Sequence, residues 1–272
     1  MNHTRPVRRI SNTVIGIILL VVMLFPVYWM INLSFQKSGS NLAESFFPTS
    51  FHLDGYKAAL ADQGGNLVTS LIVSLGSVIL ILLLALPAAY ALAQFRLPGL
   101  NIVLLALTIT QMIPGIVIAN SLYSAFNSLG LLNSIGGLIL VDASHGIVFA
   151  ILLVRTGMQA IPTSVLEAAR LDGAGMIRTF YLIAMPLARN SIVTASLFAF
   201  LFSWSDFIFA LTLTTTEAIR PITLGIYTYL GADQTDWSAV MATSVFASIP
   251  AIALLLLAQR FVAAGATGGA VK

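Results

Sequence analysis

The chain has 272 residues, of which 58% are hydrophobic and only 8% are charged. Soluble domains carry about 25% charged residues, so this composition excludes an ordinary soluble domain and predicts a membrane protein with several spans. The 13 basic residues slightly outnumber the 10 acidic ones and form no run interleaved with aromatics, so no nucleic acid partner is predicted. Cysteine is absent, which excludes disulfides, thiolate metal ligands and cysteine nucleophiles.

The first apolar run extends from 13 to 33 and follows a basic amino-terminal segment, 1–12. A basic start followed by an apolar core is also typical of a secretory signal. The run is nevertheless long enough to span a bilayer, which takes about 20 residues. Tyr28 and Trp29 mark its end as a membrane interface rather than as a small-residue cleavage site. We therefore interpret the run as a retained spanning helix.

Five further apolar runs follow, so we predict an all-α membrane protein with six transmembrane helices. The third span is interrupted at Pro114–Gly115, and residues 54–60 are compatible with a short amphipathic helix on the membrane surface. The predicted spans are 13–33, 66–93, 100–122, 136–154, 190–212 and 238–261. The predicted connections are 34–65, 123–135 and 213–237 on one side, and 94–99, 155–189 and the tail 262–272 on the other.

Basic residues are distributed unequally between the two sides of this topology. Because basic residues concentrate in cytoplasmic segments, both termini and the 155–189 loop are predicted to be cytoplasmic, and the loop then faces the ATP pool. The cytoplasmic side would carry ten basic residues: Arg5, Arg8, Arg9, Arg96, Arg155, Arg170, Arg178, Arg189, Arg260 and Lys272. The outer side would carry three: Lys37, Lys57 and Arg220.

The segment 167–186 is predicted to be helical yet is too polar to lie in lipid. Pro162 suits a first helical turn, and Ser164 stands three residues before Glu167, the spacing of a capping box. Gly173 suits a left-handed helix stop, and a second short helix is predicted from 174 to 184. Two short helices that meet at a glycine, joined at both ends to spanning helices, form a compact unit that a partner can move.

This segment resembles the EAA signature of permease subunits of bacterial ABC importers. The one departure is Met185, where the family usually has leucine, and this swap conserves volume. In that family the loop docks into a cleft on a separate ATPase subunit. Glu167 could serve as a helix cap, as the docking residue, or as both. The resemblance implies that the following residues couple to the ATPase: Glu167, Ala168, Ala169, Asp172, Gly173, Ile183 and Pro186.

The resemblance extends from the second span to the carboxyl end. The stretches 88–96, 111–115, 130–133, 204–207 and 267–272 are similar to the smaller maltose-type permease subunit of carbohydrate importers, although Ser205 stands where asparagine is more usual. The resemblance implies a type I importer permease bundle with one permease domain at about 66–265, in the bacterial cytoplasmic membrane.

The implied partners are a second permease subunit that forms a heterodimer with this chain, an ATPase dimer, an extracytoplasmic solute-binding protein and membrane lipid. The chain contains no G-x-x-x-x-G-K-[ST] run, so ATP and Mg²⁺ are expected on the ATPase, and no cofactor, metal site or enzyme activity is expected here. In this family the outer loop at 217–237 reaches toward the binding protein. The implied solute is a sugar or a sugar-like molecule, with maltodextrin, trehalose, other oligosaccharides, amino sugars and glycerol phosphodiesters all open.

Polar residues inside the predicted spans are candidates for the translocation path, because a charge at mid-bilayer costs roughly 2.5 kcal/mol or more. Asp142 and His145 share one helix face and could either satisfy each other or contact solute. Asp206 could bond a neighbouring helix or accept from sugar hydroxyls beside Trp204. Gln111 and Pro114 interrupt the third span as a static kink or as a flexing point for gating.

Two other functions are compatible with a polytopic chain. A secondary transporter or channel should show inverted repeats with ion sites at corresponding positions, and no convincing repeat is present. A membrane-embedded enzyme needs a set of catalytic groups, and Asp142 with His145 is a pair without an evident third member. Neither alternative accounts for the 167–186 segment.

Overall fold

The computed structural model describes residues 6–39, 46–47, 50–230 and 235–267. The described residues do not include Arg5 or the tail residues 268–272, of which Lys272 is the last. The described residues form helices and turns with no strand, apart from one isolated antiparallel bridge between Leu230 and Thr235. The predicted all-α class is therefore confirmed.

The helices differ widely in length, from one turn to 41 residues. A π-helical turn, Phe180–Ala184, and a 3₁₀ turn, Ile226–Tyr229, interrupt the α-helical sequence. In chain order the α-helices are α1 (Pro6–Ser34), α2 (Asp54–Gln94), α3 (Leu100–Thr110), α4 (Gly115–Ser128), α5 (Ile135–Gln159), α6 (Thr163–Leu171), α7 (Met176–Thr179), α8 (Met185–Leu187), α9 (Arg189–Trp204), α10 (Ile208–Leu213), α11 (Ile222–Gly225) and α12 (Trp237–Thr267).

Four helical stretches are long and apolar enough to cross a membrane: Asn12–Ser34, Asp54–Gln94, Ile135–Gln159 and Trp237–Phe261. Two bent pairs raise the number to six if each pair counts as one span. The first pair is α3 with α4, bent by 90°, and the second joins Met176–Leu187 to α9 at 79°. The four continuous candidates and the first bent pair overlap predicted spans, whereas the second bent pair begins inside the predicted connection 155–189.

The second helix starts earlier than the predicted span, at Asp54 instead of residue 66. The predicted surface helix at 54–60 and the span are one continuous helix that includes Gly64 and Gly65. Each glycine inside a helix lowers helix stability by about 1 kcal/mol relative to alanine. The helical residues on both sides of Gly64 and Gly65 stabilise the helix by more than this cost. Asp54 in the first turn also interacts favourably with the helix dipole.

The predicted interruption of the third span is a complete break. Helix α3 ends at Thr110, and Pro114 caps α4 with φ −58° and ψ 133°, an extended conformation. Proline lacks an N–H group and disfavours helical geometry in the residue before it, so one helix cannot continue through this position. Gln111 and Pro114 are both exposed at this break.

Residues up to Gly64 together with Ile226–Ser248 form one compact unit. From Asn12 to Val27 the side chains of α1 are exposed, whereas Leu33 and Ser34 at its end are buried. The Ser34 hydroxyl is 2.7 Å from the Tyr56 hydroxyl. The Tyr56 ring also packs against Phe246 at 5.5 Å between centroids, so aromatic contacts hold the ends of three helices together.

Polar contacts in the same unit join the two longer predicted outer loops. The Tyr229 hydroxyl donates to the Asp62 carboxylate at 3.2 Å. Burial raises the pKa of Tyr229 above its usual value, which keeps the hydroxyl protonated as a donor. Asp236 accepts from the Ala239 N–H at the start of α12 and also from the Ser38 hydroxyl. Segments 34–65 and 213–237 therefore make direct contact.

The second unit comprises Gly65–Gly225 and Ile249–Lys272, and α5 contributes more of its buried residues than any other described helix. Close helix contacts depend on glycines of α5. A Cβ added at Gly157 would lie 2.5 Å from the Ser191 Cβ on α9, and a Cβ at Gly146 would lie 2.9 Å from Ile81 on α2. At Gly157 a Cβ would overlap the Ser191 Cβ, so glycine permits the close approach of α5 and α9, whereas at Gly146 the nearest atom is the end of the flexible Ile81 side chain.

The ends of α2 and α5 are also joined by polar contacts. The Gln94 side-chain amide donates to the Met158 carbonyl at 2.7 Å. The Arg155 guanidinium donates to the Leu92 carbonyl at 3.1 Å. Both bonds reach carbonyls near the carboxyl ends of helices, where the regular intrahelical donors run out. They connect the two helices immediately before the polar segment that follows α5.

Candidate functional site

The polar segment after α5 contains α6, α7, the π-helical turn and α8, and we call Thr163–Leu187 the elbow. Helix α6 begins at Thr163, and its N-cap is Pro162, with no side-chain hydrogen bond to the cap. Ser164 therefore lies inside the first turn, where it cannot cap the helix. The predicted capping box with Glu167 is wrong, and the exposed Glu167 carboxylate has no capping role.

The end of α6 is a Schellman motif centred on Gly173. This glycine has φ +81°, as the predicted left-handed stop requires. The Ala174 N–H donates to the Ala169 carbonyl at 3.0 Å, and the Gly173 N–H donates to the Arg170 carbonyl at 3.0 Å. These are the two bonds that define the motif. Any other residue at this position adopts a left-handed conformation at a cost of about 1–2 kcal/mol.

The second part of the elbow is less regular than the single helix predicted from 174 to 184. It consists of α7, the π-helical turn and α8, the last ending at Leu187. Thr179 is fully buried, and its hydroxyl donates to the Gly175 carbonyl at 3.1 Å. The widened turn directs Phe180 inward, where its ring lies 5.1 Å from the Tyr90 ring of α2.

One side of the elbow is built into the main core of the second unit. Leu166 of α6 and Ala184 of the π-helical turn are buried in the same cluster as Met158 of α5. Ala169 of α6 is also buried. Ile183 is half-buried against that cluster. A fully buried aliphatic side chain contributes about 1.5–3 kcal/mol, so these contacts attach the elbow firmly to α2 and α5.

The opposite side of the elbow exposes large apolar residues. The side chain of Leu171 is 89% exposed and that of Ile177 is 74% exposed. Met176, Ile177, Tyr181 and Leu182 border one open hollow beside Arg178. Clustered exposed apolar residues with charged neighbours mark an interaction surface. We call Leu171, Met176, Ile177, Tyr181 and Leu182 the exposed elbow residues.

The seven predicted coupling residues therefore divide into two groups. Glu167, Ala168, Asp172 and Pro186 are exposed, while Ala169 and Ile183 pack inward and Gly173 forms the turn. The exposed elbow residues did not enter the predicted set. Their signal was present in the sequence, because leucine, isoleucine and methionine recur in a segment too polar to lie in lipid.

The structure brings three of the predicted path residues together around a small cavity of about 20 Å³. Asp142, His145 and Asp206 line it with Ser203 and two phenylalanines. The Ser203 hydroxyl donates to the Asp142 carboxylate at 2.5 Å, and His145 packs against Phe209 at 5.6 Å. Asp142 and His145 are therefore not seen to hydrogen-bond to each other, and Asp142 instead accepts from Ser203 of α9.

The Asp206 carboxylate accepts hydrogen bonds from the next helix along the chain, α10. It accepts from the Phe209 N–H at 3.3 Å and from the Ala210 N–H at 2.9 Å, which satisfies free donors at the start of α10. The remaining predicted path residues lie apart from the cavity. Trp204 is buried with its ring stacked on Phe200 at 5.4 Å, and neither Gln111 nor Pro114 lines the cavity.

Substitutions of Asp206 distinguish a helix-capping role of this residue from a role in solute contact. We expect Asp206→Ala to lower stability by about 1 kcal/mol, because the α10 N–H groups lose their acceptor. Asp206→Asn retains an oxygen acceptor and should remain near wild type in apparent melting temperature and in solute uptake. A normally folded Asp206→Asn variant with reduced uptake would contradict a purely capping role, and unchanged uptake in both variants would remove Asp206 from the path.

Asn133 is a polar junction that sequence reasoning did not identify as functional. Its backbone has φ +53°, and its side-chain oxygen accepts from the N–H groups of Thr215 at 2.7 Å and Thr216 at 3.0 Å. Its own N–H donates to the Leu213 carbonyl at 3.0 Å. These bonds join the start of α5 to the segment after α10.

No group of three or more histidine and acidic side chains that could hold a metal ion occurs in the part of the chain that the structure describes.

Residues 81–267 match the family model described as the binding-protein-dependent transport system inner membrane component. The match includes the elbow, the cavity and α12. Among relatives, the probable ABC transporter permease protein y4oR of Sinorhizobium fredii is 32% identical over 279 residues, covering 100% of this chain and 98% of the relative. The trehalose transport system permease protein SugB of Mycobacterium tuberculosis is 29% identical over 253 residues, covering 92% of each chain.

A third relative and one solved structure extend the comparison. The diacetylchitobiose uptake system permease protein DasC of Streptomyces coelicolor is 29% identical over 268 residues, covering 97% of each chain. The fold is similar to a chain of a bacterial ABC transporter involved in the import of the acidic polysaccharide alginate. That likeness has a TM-score of 0.81 and 21% identity, and it covers 96% of this chain and 99% of the other.

Proposed function

Because this chain belongs to the family of binding-protein-dependent transport system inner membrane components, we propose that it forms half of the translocation path of an ATP-driven sugar importer and couples to a separate ATPase through the elbow. The coupling proposal depends above all on one observation. The elbow combines exposed apolar residues on one side with a base buried in the core of α2 and α5. A surface of this kind can bind a partner and transmit its movement to spanning helices.

The mechanism follows from this attachment. When the ATPase dimer closes on ATP, a partner bound at Leu171 and Ile177 displaces the elbow as a unit. The buried contacts of Leu166 and Phe180 pass the displacement to α2 and α5, because packed side chains have little free space in which to shift. The spanning helices then reorient the cavity that they enclose, which is alternating access driven from the cytoplasm.

The orientation in this proposal rests on charge. Arg155, Arg170, Arg178 and Arg189 all flank or belong to the elbow, and basic residues concentrate on the cytoplasmic side of membrane proteins. The elbow and both termini are therefore assigned to the cytoplasm, and segments 34–65 and 213–237 to the outer side. The contacts between those two outer segments supply a surface that an extracytoplasmic solute-binding protein can bind.

The assembly requires further chains. The proposed partners are a second permease subunit that completes the path as a heterodimer, an ATPase dimer that holds ATP and Mg²⁺, and the external binding protein. Neither nucleotide nor cofactor is assigned to this chain, which acts as a transporter component rather than as an enzyme. Membership of the family does not support the secondary-transporter and channel alternatives.

The proposed solute is a sugar or a sugar-like molecule. Two relatives are described as permease proteins for trehalose and for diacetylchitobiose. Asp142, His145 and Asp206 are the proposed part of the path in this chain, and their acceptors would meet sugar hydroxyls when helix movement widens the small cavity between them. We also propose three further path residues: Trp204, Gln111 and Pro114. Movement of α9, and of the break between α3 and α4, would bring them to the path.

The coupling role is tested by changing Glu167 and Gly173 together in the assembled transporter. We expect Glu167→Gln with Gly173→Ala to reduce both solute-stimulated ATP hydrolysis and uptake, because the first removes an exposed charge and the second strains the turn by about 1 kcal/mol or more. Both rates are measured in proteoliposomes containing the binding protein.

The matched control is Met185→Leu, which introduces the residue usual in the family at a half-buried position and conserves volume. It should leave both rates unchanged. Normal hydrolysis and uptake in the Glu167→Gln, Gly173→Ala variant, at normal protein levels, would overturn the coupling proposal. Protease or label access to the elbow from outside the cell would overturn the assigned orientation.

A further inference from the structure

A groove of about 390 Å³ lies within the second unit, bordered by α2, α9 and α12. Apart from Ser196 and Arg260, its lining side chains are apolar. The apolar lining includes Leu75 of α2, Val193, Leu197 and Phe200 of α9, and Leu254 and Leu257 of α12. The protein itself does not fill this space, so the lining atoms lack the packing partners that a protein interior usually supplies.

The groove runs along α9 and α12, and on α12 it extends from the end of the candidate span Trp237–Phe261 toward the middle of that span. Its residues on α9 extend from Val193 to Phe200, and those on α12 from Leu254 to Phe261, which is about 10 Å along each helix. Because α9 and α12 belong to successive spans, the start of α9 and the end of α12 lie at the same side. Arg260 therefore marks the end of the groove that opens toward the membrane surface.

The basic end of the groove lacks a neutralising partner in the described residues. The Arg260 guanidinium lies 4.7 Å from the centre of the Phe261 ring. Arg189 precedes Val193 by one helical turn and so shares its face of α9. The Glu217 carboxylate pairs with Arg220, far along the chain from this groove. Guanidinium groups prefer phosphate and carboxylate oxygens, so this end attracts an anion.

An apolar groove in a membrane that ends in arginines has the chemistry of one kind of ligand. The hydrocarbon part of the site suits an acyl chain, and the arginine end suits a phosphate at the depth of the headgroups. We propose that the groove between α2, α9 and α12 binds an anionic phospholipid, with one acyl chain along Leu197 and Leu257 and the phosphate at Arg260 and Arg189. This site goes beyond the transport function and does not depend on the elbow.

Native mass spectrometry of the detergent-purified full chain tests the site with phosphatidylglycerol and phosphatidylcholine as probes. We expect preferential retention of phosphatidylglycerol. Arg260→Gln should weaken it about fivefold, because one interfacial arginine contributes about 1 kcal/mol to anionic lipid binding. Leu257→Trp, at a lining position that is 72% exposed, fills the groove and should abolish retention at an unchanged apparent melting temperature. The matched control Arg96→Gln, in the turn after α2 and outside the groove, should retain the lipid fully.

Two results would overturn the proposal. One is equal retention of the two lipids, and the other is equal retention by the Arg260→Gln and Arg96→Gln variants. A second measurement distinguishes lipid from a helix of another subunit. Since the chain has no cysteine, Leu257→Cys can carry a single photoreactive label in native membranes. A phospholipid adduct is expected on this label, whereas an adduct to another membrane protein would assign the groove to that protein and overturn the lipid site.

Discussion

Placing a charge at Leu171 should abolish ATP-driven uptake while leaving the permease folded. Leu171 is 89% exposed at the end of α6, so Leu171→Asp removes no internal contact and the apparent melting temperature should stay unchanged. In the complex with the ATPase, the Leu171→Asp variant loses about 2 kcal/mol of stabilisation from apolar burial at this position. Binding must also desolvate the new carboxylate. ATPase affinity should therefore fall by at least about tenfold, measured by retention of the ATPase on the immobilised permease.

The matched control for this effect is Leu171→Met, which keeps volume and hydrophobicity. It should retain both ATPase binding and uptake. If Leu171→Asp also retained the ATPase and transported solute normally, the exposed elbow residues would not form the docking surface. A lowered melting temperature in Leu171→Asp would contradict the exposure of this side chain in the folded chain.

Adding one methyl group at Gly157 should destabilise the permease strongly. The new Cβ in Gly157→Ala would lie 2.5 Å from the Ser191 Cβ, so α5 and α9 must separate just before the elbow. Overpacking of a tight contact costs typically about 1–3 kcal/mol. We expect a reduced yield and a reduced apparent melting temperature in detergent, together with reduced uptake, because the elbow is attached to both helices.

Two further variants isolate the cause. Gly136→Ala lies on the same helix with no heavy atom within 4 Å of the added Cβ, so it should be neutral or slightly stabilising. Gly157→Ala combined with Ser191→Gly removes the clashing side chain and should recover most of the lost stability. Equal destabilisation by Gly136→Ala and Gly157→Ala, or no recovery in the double variant, would show that helix approach is not the determinant.

Several features of the fold could be predicted because their causes are local. Pro114 interrupts the third span for the reason that proline lacks an N–H group, and α3 and α4 meet there at 90°. Gly173 ends α6 because glycine tolerates a positive φ. The apolar composition requires backbone hydrogen bonds to be satisfied within each span, which predicts helices. Each of these depends on one residue type or on overall composition.

Other features depend on residues distant in sequence and could not be predicted. Asp142 is bonded by Ser203, 61 positions away, and Asn133 is bonded to Thr215, 82 positions away. Spacing along a helix suggested that Asp142 pairs with His145, but a shared face does not determine which neighbour a side chain meets. The predicted capping box of Ser164 and Glu167 was wrong because α6 begins at Thr163, which places Ser164 inside the first turn.

The amino-acid sequence alone determined that this is a helical membrane protein and where two of its helices stop. Tertiary structure decided which elbow residues are buried and which are available to a partner. Residues three or four positions apart share a helix face by geometry, but the packing of α2 and α5 selected the face of the elbow that became its base. Exposure of Leu171 and Ile177 follows from that choice, because a helix that buries one face leaves the other to solvent or to a partner.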